Sequence, residues 1–398
     1  MSGPLAGVHV LDFTRVLAGP LCGETLLDLG AEVIKLEPPS GDLSRQAVPR
    51  RDGISGYYAQ QNAGKRNVSI DLNVAGAREV ALRVCEWADV IVESFRPGTL
   101  ASFGLGYDRV AERNPGVVYA SITGYGQHGS WRSRSAYAPT VQAEAGVTAT
   151  TEAQFGRLAT DALSHGDVYT GLHAAIAILA ALHHRDLTGE GQYVDVAMAA
   201  VMVAINERVH VDLGGEDLGA EPPILGAADA VFFTAPGGGT FVSPMSLVGS
   251  LSFRFYQAAM RRPDLADDPR FATPEARAQN LDALRGIVQE WIWTFDDMAS
   301  LDAQFDEAKI ATGRMRTLAG MADTDWAKQW GATRTVPDRD GGEITVPGRP
   351  WHFSDDDGDP ERVPARRGEH NEEVLAELGY DAVEIDSLTR RGVLVRHR

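Results

Sequence analysis

Apolar residues along the first third of the chain come in short blocks, spaced as strands and helices in turn. VHVLDF (8–13) reads as a strand, a loop rich in Gly and Pro follows, a helix is expected near 20–29, and EVIKL (32–36) reads as a second strand. The alternation returns with VSIDL (68–72), a helix near 75–87, DVIVES (89–94), a helix near 99–112 and GVVYASI (116–122). Strands that alternate with helices build a parallel sheet covered on both faces, so this part of the chain is expected to be an α/β, Rossmann-like domain.

The regularity then lapses. GYGQHGSWRSRSAYAP (124–139) is polar and turn-rich and reads as a long loop of the kind that usually serves a ligand. A helix opens near Val168 within SHGDVYTGLHAAIAILAALHHR (164–185), then come a turn, the strand YVDVAM and a helix near 198–210. GGEDLGAEPPILGAAD (214–229) reads as a linker. AVFFTAPGGGTFVSP is expected to form a hairpin around Gly237 to Gly239, followed by helices. These features divide the chain into a large domain over 1–213, the linker, a small α+β domain over 230–335, and a return segment over 336–398 that completes the large domain. In that segment, Asn371 is expected to cap a helix whose first turn carries Glu372 and Glu373.

Composition narrows the function. At 398 residues the chain exceeds what one core usually supports, and 44% hydrophobic with 23% charged residues is ordinary for a globular protein. A formal net charge of -18 argues against a general nucleic-acid binder and against adhesion to anionic membranes, since both require a basic surface. The opening residues lack a signal-peptide pattern, and the longest apolar run, near 171–182, is too short to cross a bilayer; a cytoplasmic protein is expected. Cys22 and Cys85 show no metal-ligand or redox spacing, so both are expected to be buried thiols, with no metal site.

Three loops should gather at the carboxyl ends of the strands: TRVLAGP (14–20), EPPSGD (37–42) and ESFRPG (93–98). Arg15, Arg45, Lys65, Arg66, Arg96, Arg132 and Arg134 fall in or beside such loops, which suits a phosphate-bearing ligand as well as ordinary surface pairing. GYGQHG matches G-x-G-x-x-G, but a dinucleotide fingerprint needs a helix to open at once, and SWRSRSAY does not open one. Asp167 has two readings. It is a favoured helix N-cap, and it would also serve as a nucleophile, because a helix start favours the ionised carboxylate and supplies N–H groups to an oxyanion.

With these residues in view, the chain resembles the class III CoA-transferases, a family that includes formyl-CoA and carnitine CoA-transferases and the α-methylacyl-CoA racemases. The likeness is carried by GVHVLDFTRVLAGP, LLDLGAEVIKLEPPSGDLSR, NAGKRNVSIDL, ADVIVESFRPGTLASFGLGYD, NPGVVYASITGYGQHG, GDVYTGLHAAIAILAALHHRDLTGEGQYVDVAM, RPDLADDPRFATPEARAQN and GEHNEEVLAELGY. It implies covalent catalysis by Asp167, with coenzyme A or an acyl-CoA as substrate and no prosthetic group. Val16, Ala18, Ile70, Ser94, Phe95 and Arg96 are the implied CoA contacts, with Lys65 and Arg66 as weaker electrostatic support. It also implies an interlaced, ring-like homodimer that takes an acyl-CoA and a carboxylic acid.

Departures from the family pattern bear on the substrate. Racemases carry a His where this chain has Tyr137, and many members are acidic where it has Ala138, so a two-base epimerase is the lesser alternative. His165, two residues from Asp167, is expected to face elsewhere. Leu17 stands where some diacid transferases are polar, and Gly226 is the remnant of their glycine flap, which together imply a less polar acceptor pocket. A second alternative is a non-catalytic acyl-CoA binder in which Asp167 only caps its helix.

Overall fold

A computed structural model describes residues 3–51, 54–215, 219–220, 230–355 and 362–397. The chain forms two compact units, Met1–Ile205 with Asp325–Arg398, and Asn206–Thr324. The first is built on six parallel strands: β1 (His9–Asp12), β2 (Glu32–Glu37), β3 (Arg66–Ser69), β4 (Val90–Glu93), β5 (Val118–Thr123) and β6 (Gln192–Ala197). Their spatial order, β3-β2-β1-β4-β5-β6, is that of a doubly wound sheet, with the reversal between β1 and β4.

The pleat explains why these strands read as continuous apolar runs. Leu11, Ile34, Ile91 and Tyr119 face one side, where they pack with helix Ala77–Trp87 and with Val374, Leu375, Ile385 and Leu388 from the end of the chain. Their neighbours Val10, Val33, Val90 and Val118 face the other side, against α1 (Ala18–Asp28) and the long helix His165–Thr188. Both faces are dry, so no polar alternation survives in the strands.

Several sequence expectations are corrected. The helix expected over 99–112 is split into Thr99–Ser102 and Tyr107–Ala111, because Gly104 takes a positive φ and the chain turns between them. The long loop after β5 contains α2 (Ala138–Glu144) and a helix over Val147–Phe155 that buries no residue, which is why no apolar periodicity announced it. The helix near 198–210 is also two pieces, Met198–Ala204 and Val209–Gly214. Asn371 is the first helical residue, not the cap; its side chain accepts from the Ser69 amide and donates to the Val395 carbonyl.

In the second unit, Val231–Thr234 and Thr240–Ser243 pair antiparallel around the glycine turn, and Gly313–Arg314 joins as a third strand. Phe241, Tyr256, Phe271, Leu284, Val288 and Phe305 fill its core. Most of the expected linker, 216–218 and 221–229, lies outside the described residues. No helix among the described residues is long and apolar enough to cross a membrane.

Candidate active site

The reversal between β1 and β4 creates a crevice, and the loops leaving those strands meet across it: the Arg15 amide donates to Ser94 Oγ at 3.3 Å and the Arg15 guanidinium lies 4.9 Å from the Phe95 ring centre. Val16, in this first loop, has φ 72°, a left-handed conformation that is costly for a β-branched residue. Leu17 and Ala18 are buried beneath it.

The long helix is α3 (His165–Thr188), and its start is pressed against the first loop. A Cβ on Gly171 would lie 2.4 Å from the Ala18 carbonyl oxygen, so only glycine allows the two backbones to approach this closely. Gly166 is similarly enclosed, with Ala138 Cβ and Gln142 Oε1 each 3.3 Å from where its Cβ would be, and its amide donates to Gln142 Oε1. Ala138 is thus fully buried behind the helix start, whereas Tyr137 beside it is 65% exposed. Gly226 lies outside the described residues.

Asp167 is the third residue of α3. The N-cap is Ser164, whose side chain makes no capping bond, so the capping role considered for Asp167 is not observed. Its carboxylate is half-buried and finds no hydrogen-bond or ion-pair partner among the described residues. Burial pushes its pKa up to about 6. Tyr57 is close enough to feel its charge: burial first, then Asp167 and Asp42, raise the Tyr57 hydroxyl. His165 turns to Asp161, with which it pairs through Nδ1, and Gln142 also reaches Asp161.

The implied CoA contacts separate into two groups. Val16, Ala18, Ser94, Phe95 and Arg96 share the crevice edge, and Arg96 donates to Ser135 Oγ at 2.7 Å. A groove of about 520 Å³ follows, lined by Arg96, Gln127, His128, Arg132 and Tyr193, with a neighbouring cavity of about 430 Å³ reached by Glu93, Tyr107 and Ser121. GYGQHG forms the rim of this groove, and the Gln127 amide donates to Asp195 at 2.9 Å; no helix opens there.

The remaining three are used internally. Ile70 is 1% exposed and its side chain sits in the core. Lys65 is wholly buried, donating to Asp12 at 2.9 Å, to the Pro20 carbonyl and to Asn62. Arg66 stands at the amino end of β3, the far edge of the sheet, bonded to Glu32, Glu373 and Glu377. Electrostatic support of a ligand by Lys65 and Arg66 is therefore not what this arrangement offers, since both charges are already neutralised by carboxylates.

Two groups were missed. Glu93, at the end of β4, accepts the Phe95 amide at 2.8 Å, and burial raises its pKa to about 7 against the pull of Ser121 and Phe95. Beneath the first loop runs a buried chain of charge: Lys35 contacts Asp42 at 3.1 Å and Asp12 at 3.8 Å, and Arg45 binds Glu37 at 2.8 Å. A lysine inside the apolar run EVIKL was the available signal, since a buried cation requires a carboxylate nearby.

Sheet order, crevice and a carboxylate without a partner among the described residues define a doubly wound α/β protein with its candidate site at the switch point. The chain belongs to CoA-transferase family III, whose sequence profile matches residues 5–371, and is a class III CoA-transferase enzyme. It is 33% identical to the formyl-CoA:oxalate CoA-transferase of Streptomyces avermitilis over 99% of this chain and 100% of that one. It is also 33% identical to the succinyl-CoA:mesaconate CoA-transferase of Haloarcula hispanica, covering 95% and 97% of the two chains. Among solved structures, a CAIB/BAIF family protein from Brucella suis superposes with TM-score 0.78 at 29% identity, covering 95% of this chain and all of the other. Rv3272 from Mycobacterium tuberculosis gives 0.77 at 32%, covering 93% and 98%.

Proposed function

We propose that the enzyme moves CoA from an acyl-CoA to a carboxylic acid through covalent intermediates on Asp167. The carboxylate attacks the thioester carbonyl and expels CoA thiolate, leaving a mixed anhydride on Asp167. The thiolate attacks the aspartyl carbonyl, releasing the donor acid and forming an aspartyl-CoA thioester. The acceptor carboxylate attacks that thioester, again expelling thiolate, and the thiolate takes the acceptor acyl group from the second anhydride. Asp167 is returned as a carboxylate. Charges and atoms balance without an external base, and neither metal nor prosthetic group enters.

The observation that carries this reading is the isolation of Asp167. A carboxylate with no donor attached keeps its lone pairs for attack, and a pKa near 6 makes it a stronger nucleophile than an ordinary aspartate yet ionised at neutral pH. Amides of the first turn of α3 would support the developing oxyanion. Val16, Ala18, Ser94, Phe95 and Arg96 would line the thioester arm, and the cations of the groove, Arg96 and Arg132, suit the phosphates of CoA. Leu17, buried and apolar, favours acceptors less polar than oxalate. On this reading the enzyme works in the cytoplasm as a homodimer of interlaced rings.

Incubation with an acyl-CoA donor should add a CoA or acyl mass to the peptide containing Asp167, and Asp167→Asn should abolish the adduct. Solvent-deuterium entry at the α-carbon without an acceptor would favour an epimerase instead. Tight CoA binding with no adduct and no turnover would indicate a binder only.

A further inference from the structure

We infer that Lys35 and Asp42 are positioning residues that clamp the first loop and hold Val16 in its left-handed conformation for CoA to bind. This rests on the proposed function insofar as Val16 faces CoA. The loop spans the switch point and is gripped at two places. Lys35 Nζ donates to the Thr14 carbonyl at 2.8 Å, and the Val16 amide donates to Asp42 Oδ1 at 3.1 Å. The two grips are joined, since Lys35 and Asp42 form an ion pair at 3.1 Å with both side chains at 0% exposure.

Each grip is itself held. The Asp42 amide donates to Glu37 Oε2 at 3.0 Å, and Asp42 Oδ1 also accepts the Ser44 amide at 2.9 Å. Lys35 belongs to the interior strand β2, where its backbone is held in register with Asp12 of β1 and its neighbours pair with β3. A strained residue persists only where its surroundings over-determine it, and strain of this kind collects where a ligand is bound. Val16 is the strained residue; the ion pair over-determines it. EPPSGD thus contributes to the site without facing it.

A rescue should be possible. Glycine adopts a positive φ without cost, so a loop carrying Val16→Gly needs no clamp. The test compares CoA affinity by calorimetry in the wild type, in Val16→Gly alone, in the charge-neutral pair Lys35→Met with Asp42→Ala, and in that pair combined with Val16→Gly. Replacing both ions together leaves no lone buried charge. The pair should bind CoA about tenfold more weakly or worse than wild type, the factor that one strained residue is worth, whereas the triple variant should bind within about threefold of Val16→Gly alone. Thermal stability lost with the ion pair should not return with the glycine. Should the pair fail to fold, Lys35→Met alone, which lets go of the Thr14 carbonyl, is subjected to the same comparison.

Unchanged affinity in the clamp variants, or a triple variant that falls below Val16→Gly alone by the same factor as the pair falls below wild type, overturns the inference. A wild type that binds CoA but never labels Asp167 would sink the catalytic reading alone, because the affinity comparison would still decide the clamp.

Discussion

Asp42 and Asp167 are two aspartates at the carboxyl edge of the same sheet, and the fold treats them oppositely. Burial by itself would raise both. At Asp42 the charge of Lys35 and the amides of Ser44 and Val16 outweigh burial and hold the carboxyl below its usual range. At Asp167 nothing opposes it, and the pKa climbs to about 6. A satisfied carboxylate serves as a structural part, whereas an unsatisfied one is left free to react and its ionisation is borne by the fold. The difference lies in the partners and not in the residue type.

The largest effect that would break this contrast is on turnover. Asp167→Asn should lower kcat by at least about 10³-fold, as loss of a covalent nucleophile does, and a steady-state assay showing a smaller loss would make Asp167 no more special than Asp42. Next is stability: Asp42→Ala alone takes from buried Lys35 the nearer of its two carboxylates and should cost about 3–5 kcal/mol, read from the shift of the urea midpoint. Replacing Lys35 and Asp42 together by Met and Ala should cost much less, and equal costs would mean that the pairing is not what matters.

Smaller still, Gly171→Ala should cost about 1–3 kcal/mol, because its Cβ meets the Ala18 carbonyl and drives α3 from the first loop. Calorimetric melting combined with adduct yield would test whether the separation also silences Asp167. The smallest effect concerns pH. Folding raises the Asp167 pKa from 3.8 to about 6, so ionising it costs native stability as pH rises across that window. Asp167→Asn should therefore be the more stable protein above pH 6, by about 1–2 kcal/mol, with the advantage gone below pH 4. Wild-type turnover should decline as pH falls through about 6, while Asp42 stays ionised throughout.

Strand periodicity and turn residues made most of the doubly wound sheet legible, because a strand buried on both faces must be apolar throughout and glycine marks where it ends. Helix Val147–Phe155 was not legible, since it buries nothing and leaves no period to detect. The family resemblance pointed to Asp167, which residue pattern alone could not separate from a helix cap. Pattern also suggested Lys65 as a ligand contact, but it is wholly buried in a bond with Asp12. Lys35 and Asp42 went unassigned in the sequence, although they form a fully buried ion pair beside the first loop.

By itself, the amino-acid sequence determined the order of the elements, the buried faces of the strands and the loops that share one sheet edge, because each follows from local periodicity and turn chemistry. Only the tertiary structure decided which carboxylate is paired and which is left alone. A charge's partners come from residues distant in the chain, and its ionisation depends on the water they exclude, which no local pattern records.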